Sequence, residues 1–220
     1  IAQIAQYAEN EFFGKPCGLL DQMTCSVGGF VFMDFNTPAK PVIKPVNFDF
    51  ETCGHALCIV NTGGSHSNLT DEYAAVKNEM ILVAQRLGHS VLREVDEAQF
   101  YNSIDLVRSA VGDRALLRAM HFFSENRRVD AQVKALEAKE FGEFKKLVIK
   151  SGQSSYMYNQ NVYSVKDPVS QPVSLGLCLC QELLEGKGAW RVHGGGFAGT
   201  IQAFVPVDML AEFKRRMELV

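Results

Sequence analysis

Two stretches of this 220-residue sequence hold residue types and spacings that can do chemistry. In the first, residues 16–27, Pro16 is well placed as a first helical residue and Gly28-Gly29 as a stop. At about 100° per residue, Leu19, Leu20, Met23 and Val27 share one face. The opposite face holds Cys17, Gly18, Asp21, Thr24, Cys25 and Gly28. Asp21 therefore stands among small residues, which let a ligand come close to its carboxylate. By periodicity alone, a solvated helical aspartate beside a core stripe is the simpler reading. The second stretch is Gly194-Gly195-Gly196-Phe197-Ala198-Gly199, which satisfies G-x-G-x-x-G. A dinucleotide-binding turn needs a following helix and an acidic residue about 20 positions on. Here residues 200–205 read as a strand and Leu219 occupies the acidic position. No Gly-Lys-Ser/Thr follows, which excludes a P-loop. The glycines then have two explanations, a tight turn with positive φ or a close approach to a ligand or another loop. Both stay open.

These stretches need elements to position them. Residues 1–13 read as the tail of a helix, and strands are expected at 30–35, 42–44 and 56–61. Thr62-Gly63-Gly64-Ser65 breaks the pattern, and a helix follows over 70–87, closed by Gly88. Residues 99–150 read as three helices with breaks near Gly112 and Lys139, and 151–170 show no clear period. A helix over 169–184, strands over 189–193 and 200–205, and an amphipathic helix over 208–219 complete the chain. The order does not alternate βαβα, which favours α+β. The division is expected near Gly63-Gly64, giving units 1–64 and 65–220.

A net charge of −3 with scattered basic residues argues against a nucleic-acid partner. No apolar run is long enough to span a bilayer, and no signal peptide is visible. Cys17, Cys25, Cys53, Cys58, Cys178 and Cys180 form no C-x-x-C pair and sit mostly among apolar neighbours. They read as reduced, mostly buried thiols of a cytoplasmic protein, with no zinc site.

Four stretches, taken in order, resemble the galactokinases of the GHMP kinase family. Lys15-Pro16-Cys17-Gly18-Leu19-Leu20-Asp21-Gln22 is similar to the segment P-C-G-x-x-D-Q, which precedes a strand ending in Asp, here Asp34. His66-Ser67-Asn68-Leu69-Thr70-Asp71-Glu72-Tyr73 is similar to H-x-L-x-x-x-x-Y, with the Leu one place later. Arg118-Ala119-Met120-His121 with Glu125-Asn126-Arg127-Arg128 resembles R-A-x-H…E-x-R-R. Arg191 to Gly199 resembles R-x-x-G-G-G-F-G-G, with Ala198 in place of a Gly.

The resemblance implies a two-domain GHMP-kinase fold, of which this chain holds the end of the N-terminal domain and the C-terminal domain. It implies phosphorylation of galactose or a related sugar at the anomeric hydroxyl by ATP. Asp21 is then the catalytic carboxylate, and Gly18 and Tyr73 contact the sugar. Gly194, Gly195, Gly196, Phe197 and Gly199 support the phosphate loop rather than make it. The family segments R-x-N-L-x-G-E-H-x-D-Y and G-L-S-S-S-A do not occur here. ATP and Mg2+ are therefore expected to depend on a missing N-terminal part, and this chain alone is expected to be inactive. Residues 151–159 replace the usual S-H-x-S-L-x-x-D-Y. Glu125, Arg127 and Arg128 read as an ion-pair network, His121 and His193 as structural residues, and His66 as a loop residue. Tyr156, Tyr158 and Tyr163 suit loop packing as well as a cleft. The other readings are a GHMP kinase for a different small molecule and a non-catalytic sugar sensor on the same fold.

Overall fold

The computed structural model describes residues 1–14, 17–64 and 69–219. Helix α1 (Ala2–Tyr7) runs into a π-helical turn (Ala8–Phe12), and α2 (Leu20–Val27) packs back against it. Side chains tie the two together. Asn10 Oδ1 accepts from the Cys17 amide at 2.9 Å, and Gln22 Nε2 donates to Glu9 Oε1 at 3.0 Å. The helix expected from Pro16 begins only at Leu20: Cys17, Gly18 and Leu19 are not helical, so Cys17 and Gly18 precede the helix instead of sharing a face of it with Asp21, and Pro16 itself lies outside the described residues. Gly28 ends α2 at φ 76°, as expected for a glycine stop. The apolar stripe read from its sequence is not a buried face. Leu19 is buried, but Leu20 is 57% exposed and Val27 39% exposed, because no described element packs over them.

Strands β1 (Phe30–Asp34) and β2 (Val42–Val46) form an antiparallel hairpin, with Phe30 opposite Val46. Strand β3 (His55–Asn61) belongs to a different sheet. It pairs antiparallel with β5 (Thr200–Pro206), which pairs antiparallel with β4 (Ala189–Val192), giving the order β3-β5-β4. The division expected at residue 64 thus falls just after a strand that is hydrogen-bonded along its length to residues 200–206.

The helices are α3 (Thr70–Arg86), α4 (Glu97–Asn102), α5 (Ile104–Val111), α6 (Asp113–Glu137), α7 (Phe141–Ser154), α8 (Pro172–Leu184) and α9 (Leu210–Met217). Breaks occur at Gly112 (φ 84°) and Lys139 (φ 59°), as the sequence predicts. A further break at Ser103 makes four helices where three were expected. Helix α7 also continues through Ser154 into a π-helical turn (Ser155–Asn159), where no period was legible. Its inward face there is polar: Ser151, Ser154, Ser155 and Asn159 are all buried, so hydrophobic spacing carries no signal.

The strand alternation assigns the two faces of the β3-β5-β4 sheet. Ile201, Ala203 and Val205 with Val192 meet Leu177, Cys180 and Leu184 of α8 and Phe213 of α9. Ala189 and Phe204 on the other face join Val46, Phe144 and Val148. Phe30, Phe48 and Phe50 close that second cluster, with Phe30 edge-on to Phe144 at 6.1 Å. A third core lies among α3, α4, α5 and α6 around the fully buried Phe100 and Val107. With 25 residues, α6 is about 37 Å long and serves two cores, Ala115–Phe123 in one and Ala135–Leu136 in the other. No described helix is long and apolar enough to cross a membrane.

The thiols differ from expectation. Only Cys180 is buried, and burial pushes its thiol up to about 12. Cys25 and Cys178 are exposed, and the other three are half-buried. Apolar neighbours in sequence did not place the cysteines inside, because an element with one covered face leaves the residues of its other face at the surface.

Candidate functional site

Strands β4 and β5 are antiparallel neighbours, and residues 194–199 join them. The His193 amide donates to the Thr200 carbonyl at 3.0 Å where the ladder closes. Gly194, Gly196 and Gly199 take φ values of 67°, 81° and 88°. Positive φ is strained for most side chains and easy for glycine. Close approach operates as well. A Cβ on Gly195 would lie 2.6 Å from Tyr73 Cε1, and one on Gly196 would overlap the Asn161 carbonyl oxygen. Both explanations left open by the sequence therefore operate: positive φ at Gly194 and Gly199, close approach at Gly195, and both at Gly196. The closely approaching groups are the protein's own Tyr73 and Asn161.

Tyr73 lies in the first turn of α3. Its hydroxyl donates to the Gly196 carbonyl at 2.8 Å, and its ring meets Phe197 edge-on at 5.4 Å. Burial pushes its phenol above the usual range, so the hydroxyl keeps its proton at neutral pH. Asn161 holds the turn from the other side. Its carbonyl accepts from the Phe197 amide at 2.5 Å, and its Nδ2 donates to the Gly195 carbonyl at 3.0 Å. Thr62, at the end of β3, anchors the root of the turn through its amide and hydroxyl, both 2.8 Å from the Gly199 carbonyl.

Tyr73, Gly194 and Gly195 line a cavity of about 500 Å³. Lys77, Arg93 and Arg191 bring cationic side chains to it, and His121, Asn159 and Asn161 bring neutral polar ones. Arg93 also binds Asp34, the last residue of β1, at 2.9 Å, and that contact holds the Asp34 carboxyl below the usual range. Arg191 is turned inward: Nη1 donates to Ser151 Oγ at 2.7 Å and Nε to the Val192 carbonyl at 3.1 Å. Ser151 in turn donates to Glu125 at 2.7 Å, and Arg128 pairs with the same carboxylate. Arg127 points away to Glu97 of α4. Glu125 and Arg128 thus form a network that braces the start of the glycine turn through Arg191. His121 bonds Ser154 Oγ at 2.9 Å through Nδ1. Burial, with the charges of Arg191 and Arg128, pushes its pKa down to about 4, so it is neutral at pH 7.

A second network, missed in the sequence, runs behind the cavity. Arg118 is 1% exposed and donates to Glu79 Oε2 at 2.8 Å and to the Asn159 carbonyl at 3.2 Å. Arg114 binds the same Glu79. The R-A-x-H spacing points at Arg118, but its partners lie 39 and 41 residues away.

Asp21 and Gly18 are both exposed, Asp21 in the first turn of α2. A Cβ at Gly18 would meet nothing within 4 Å. Neither residue lines the cavity beside Tyr73, whereas Leu20 lines another of about 470 Å³ that it shares with Arg191. Arg191 borders both spaces. His193 Nδ1 lies 3.0 Å from Gln202 Oε1, a pairing across the two strands. Tyr156 lines a separate cavity between α7 and α8, and Tyr163 packs against the sheet core. His66 lies outside the described residues. Among the described residues, no three His, Cys, Asp or Glu side chains gather as a metal site.

No family model matches the chain. Curated proteins do. The galactokinase of Actinobacillus pleuropneumoniae serotype 3 is 31% identical over 217 residues, covering 98% of this chain and 53% of its own length. That of Glaesserella parasuis serovar 5 is 30% identical over 219 residues, with the same coverage of both chains. Over nearly its whole length the chain is similar to galactokinases. It spans about half the length of the curated galactokinases it matches, 53% in each of these two. The fold agrees. The crystal structure of Lactococcus lactis galactokinase with galactose superposes at a TM-score of 0.75, with 24% identity, over 98% of this chain and 53% of that one. The L. major mevalonate kinase structure with R-mevalonate superposes at 0.60, with 15% identity, over 99% of this chain and 53% of that one. The GHMP-kinase fold is thus shared, and the galactokinase likeness extends through nearly the whole sequence.

Proposed function

We propose that the intact protein phosphorylates galactose at its anomeric hydroxyl, in the cytoplasm, with this chain supplying part of the sugar site. The observation that carries this reading is the meeting of Tyr73 with the glycine turn in one cavity, in a chain that galactokinases match over 98% of its length. Tyr73, which lines the cavity, contacts the sugar. Gly18 leaves open space beside α2 for the sugar to approach. Asp21 takes the proton of the attacking hydroxyl or orients it, a role that its exposure at the start of α2 leaves it available to fill.

ATP supplies the transferred phosphoryl group when bound. We place ATP and Mg2+ mainly on the part of the relatives' length that this chain does not span. One observation supports this. The inner sides of Gly195 and Gly196 are filled by Tyr73 and Asn161. The turn then shapes the cleft without cradling phosphates, whereas phosphoryl transfer needs convergent donors and a metal. The test is a coupled assay of the intact protein with ATP, Mg2+ and a panel of galactose, glucose, N-acetylgalactosamine and mevalonate. Galactose should give the highest kcat/KM. Turnover of mevalonate instead, or sugar binding without turnover, would replace this reading with another kinase or with a sensor.

A further inference from the structure

The segment after α7 has no counterpart among the motifs that carry chemistry, yet it makes the closest contacts to the glycine turn. We infer that Asn161 is a positioning residue that sets the Tyr73 hydroxyl for sugar binding, acting through the Gly195–Phe197 backbone.

Asn161 is 5% exposed and grips both peptides that flank the Gly196 α-carbon. Its Nδ2 binds the Gly195 carbonyl at 3.0 Å and its own carbonyl binds the Phe197 amide at 2.5 Å. The orientation of its amide is determined: a backbone carbonyl only accepts, so the nitrogen must face Gly195. Its Oδ1 is then left buried, with no partner among the described residues. Two non-glycine residues bear left-handed strain at this contact, Gln160 at φ 56° and Phe197 at φ 59°. Strain of this kind persists only where the surroundings over-determine it. What the grip holds fixed is the Gly196 carbonyl, which receives the Tyr73 hydroxyl hydrogen at 2.8 Å. With that hydrogen committed, the hydroxyl presents itself to a ligand as an acceptor. The sugar hydroxyl that meets it must donate. Behind Asn161, Arg118 fixes the Asn159 carbonyl at 3.2 Å, so the segment is held from its other end.

This inference rests on the sugar-kinase reading for its kinetic consequence but not for its structural one. In the intact protein, Asn161→Asp places an oxygen against the Gly195 carbonyl, and Asn161→Ser shortens the side chain out of reach without adding charge. Either change should raise the galactose KM about tenfold, the loss of roughly one well-placed hydrogen bond, with the ATP KM within about twofold. Tyr73→Phe should give a similar rise. The Tyr73→Phe/Asn161→Ser double variant should then rise little further, since both act through one hydroxyl. Independent, multiplying effects, or an unchanged galactose KM, would overturn the assignment. A purely structural role would move both KM values and the melting temperature together, which also overturns it. Carbon-13 NMR of the Tyr73 ring supplies a readout without turnover. In Asn161→Ser its Cζ resonance should move, because the hydroxyl loses its fixed acceptor at the Gly196 carbonyl. A Cζ shift equal to that of the parent protein removes the coupling even if galactose proves not to be the substrate. Failure of the parent protein to phosphorylate galactose, with the Cζ change present in Asn161→Ser, rejects the substrate and keeps the positioning.

Discussion

The Tyr73 hydroxyl binds the Gly196 carbonyl across 123 residues of sequence, at 2.8 Å. The contact joins the first turn of α3 to the bend between two antiparallel strands. It accounts for a glycine on either side of the bond. Gly195 must lack a Cβ to let the ring in, and Gly196 must adopt φ 81° beside Asn161.

The two families of glycine should respond differently to alanine. Gly195→Ala pushes a methyl to 2.6 Å from Tyr73 Cε1, so the ring or the turn must move. Overpacking of this kind typically costs about 1–3 kcal/mol. Gly18→Ala meets nothing within 4 Å and should change stability by no more than about 0.5 kcal/mol. In the intact protein it should nonetheless weaken galactose binding, because the added methyl fills the space left for the sugar. Urea unfolding and calorimetric galactose titration of both variants separate these effects.

Asp21→Asn should leave the fold of the intact protein unchanged, because Asp21 is exposed on α2. Turnover should fall by about 10²–10⁴-fold, the usual contribution of a positioned acid or base. ATP affinity should stay near that of the parent. Steady-state kinetics with near-normal turnover would remove Asp21 from the reaction.

His121 predicts a pH-dependent stability. Its folded pKa, about 4, lies below the ordinary 6.5. Below pH 6.5 the unfolded chain takes up a proton that the folded chain refuses, so stability falls as pH drops from 6.5 toward 4. Above 6.5 the residue contributes no slope. The loss across that window is on the order of 2–3 kcal/mol. His121→Gln retains a polar partner for Ser154 and should flatten this part of the curve. Equal slopes for parent and variant in urea unfolding between pH 4 and 7 would show that His121 is not responsible.

The 220-residue chain by itself should neither bind ATP tightly nor turn over galactose. The glycine turn that borders the cleft has its inner side filled by Tyr73 and Asn161. Calorimetric titration of this chain with Mg-ATP should show no micromolar binding. A micromolar isotherm would place the nucleotide on Lys77, Arg93 and the glycine turn instead.

Much of the fold was legible in local pattern. Short apolar runs marked β1, β3, β4 and β5, longer helix-forming stretches marked α3, α6 and α8, and glycines marked helix ends at Gly28, Gly88 and Gly112. These signals depend on neighbours in the chain, so a sequence states them directly. The glycine turn and Tyr73 were legible as residues, through their motifs. What they touch was not. Only tertiary structure decided that β3 pairs with β5, that Arg128 turns inward while Arg127 turns out, and that Leu20 is exposed. Periodicity reports which face of an element is apolar and leaves open what covers it. Asn161 was least visible of all. The buried face around it is polar, and polar burial is satisfied by hydrogen bonds to Gly195 and Phe197, at least 34 residues away, which no local spacing encodes.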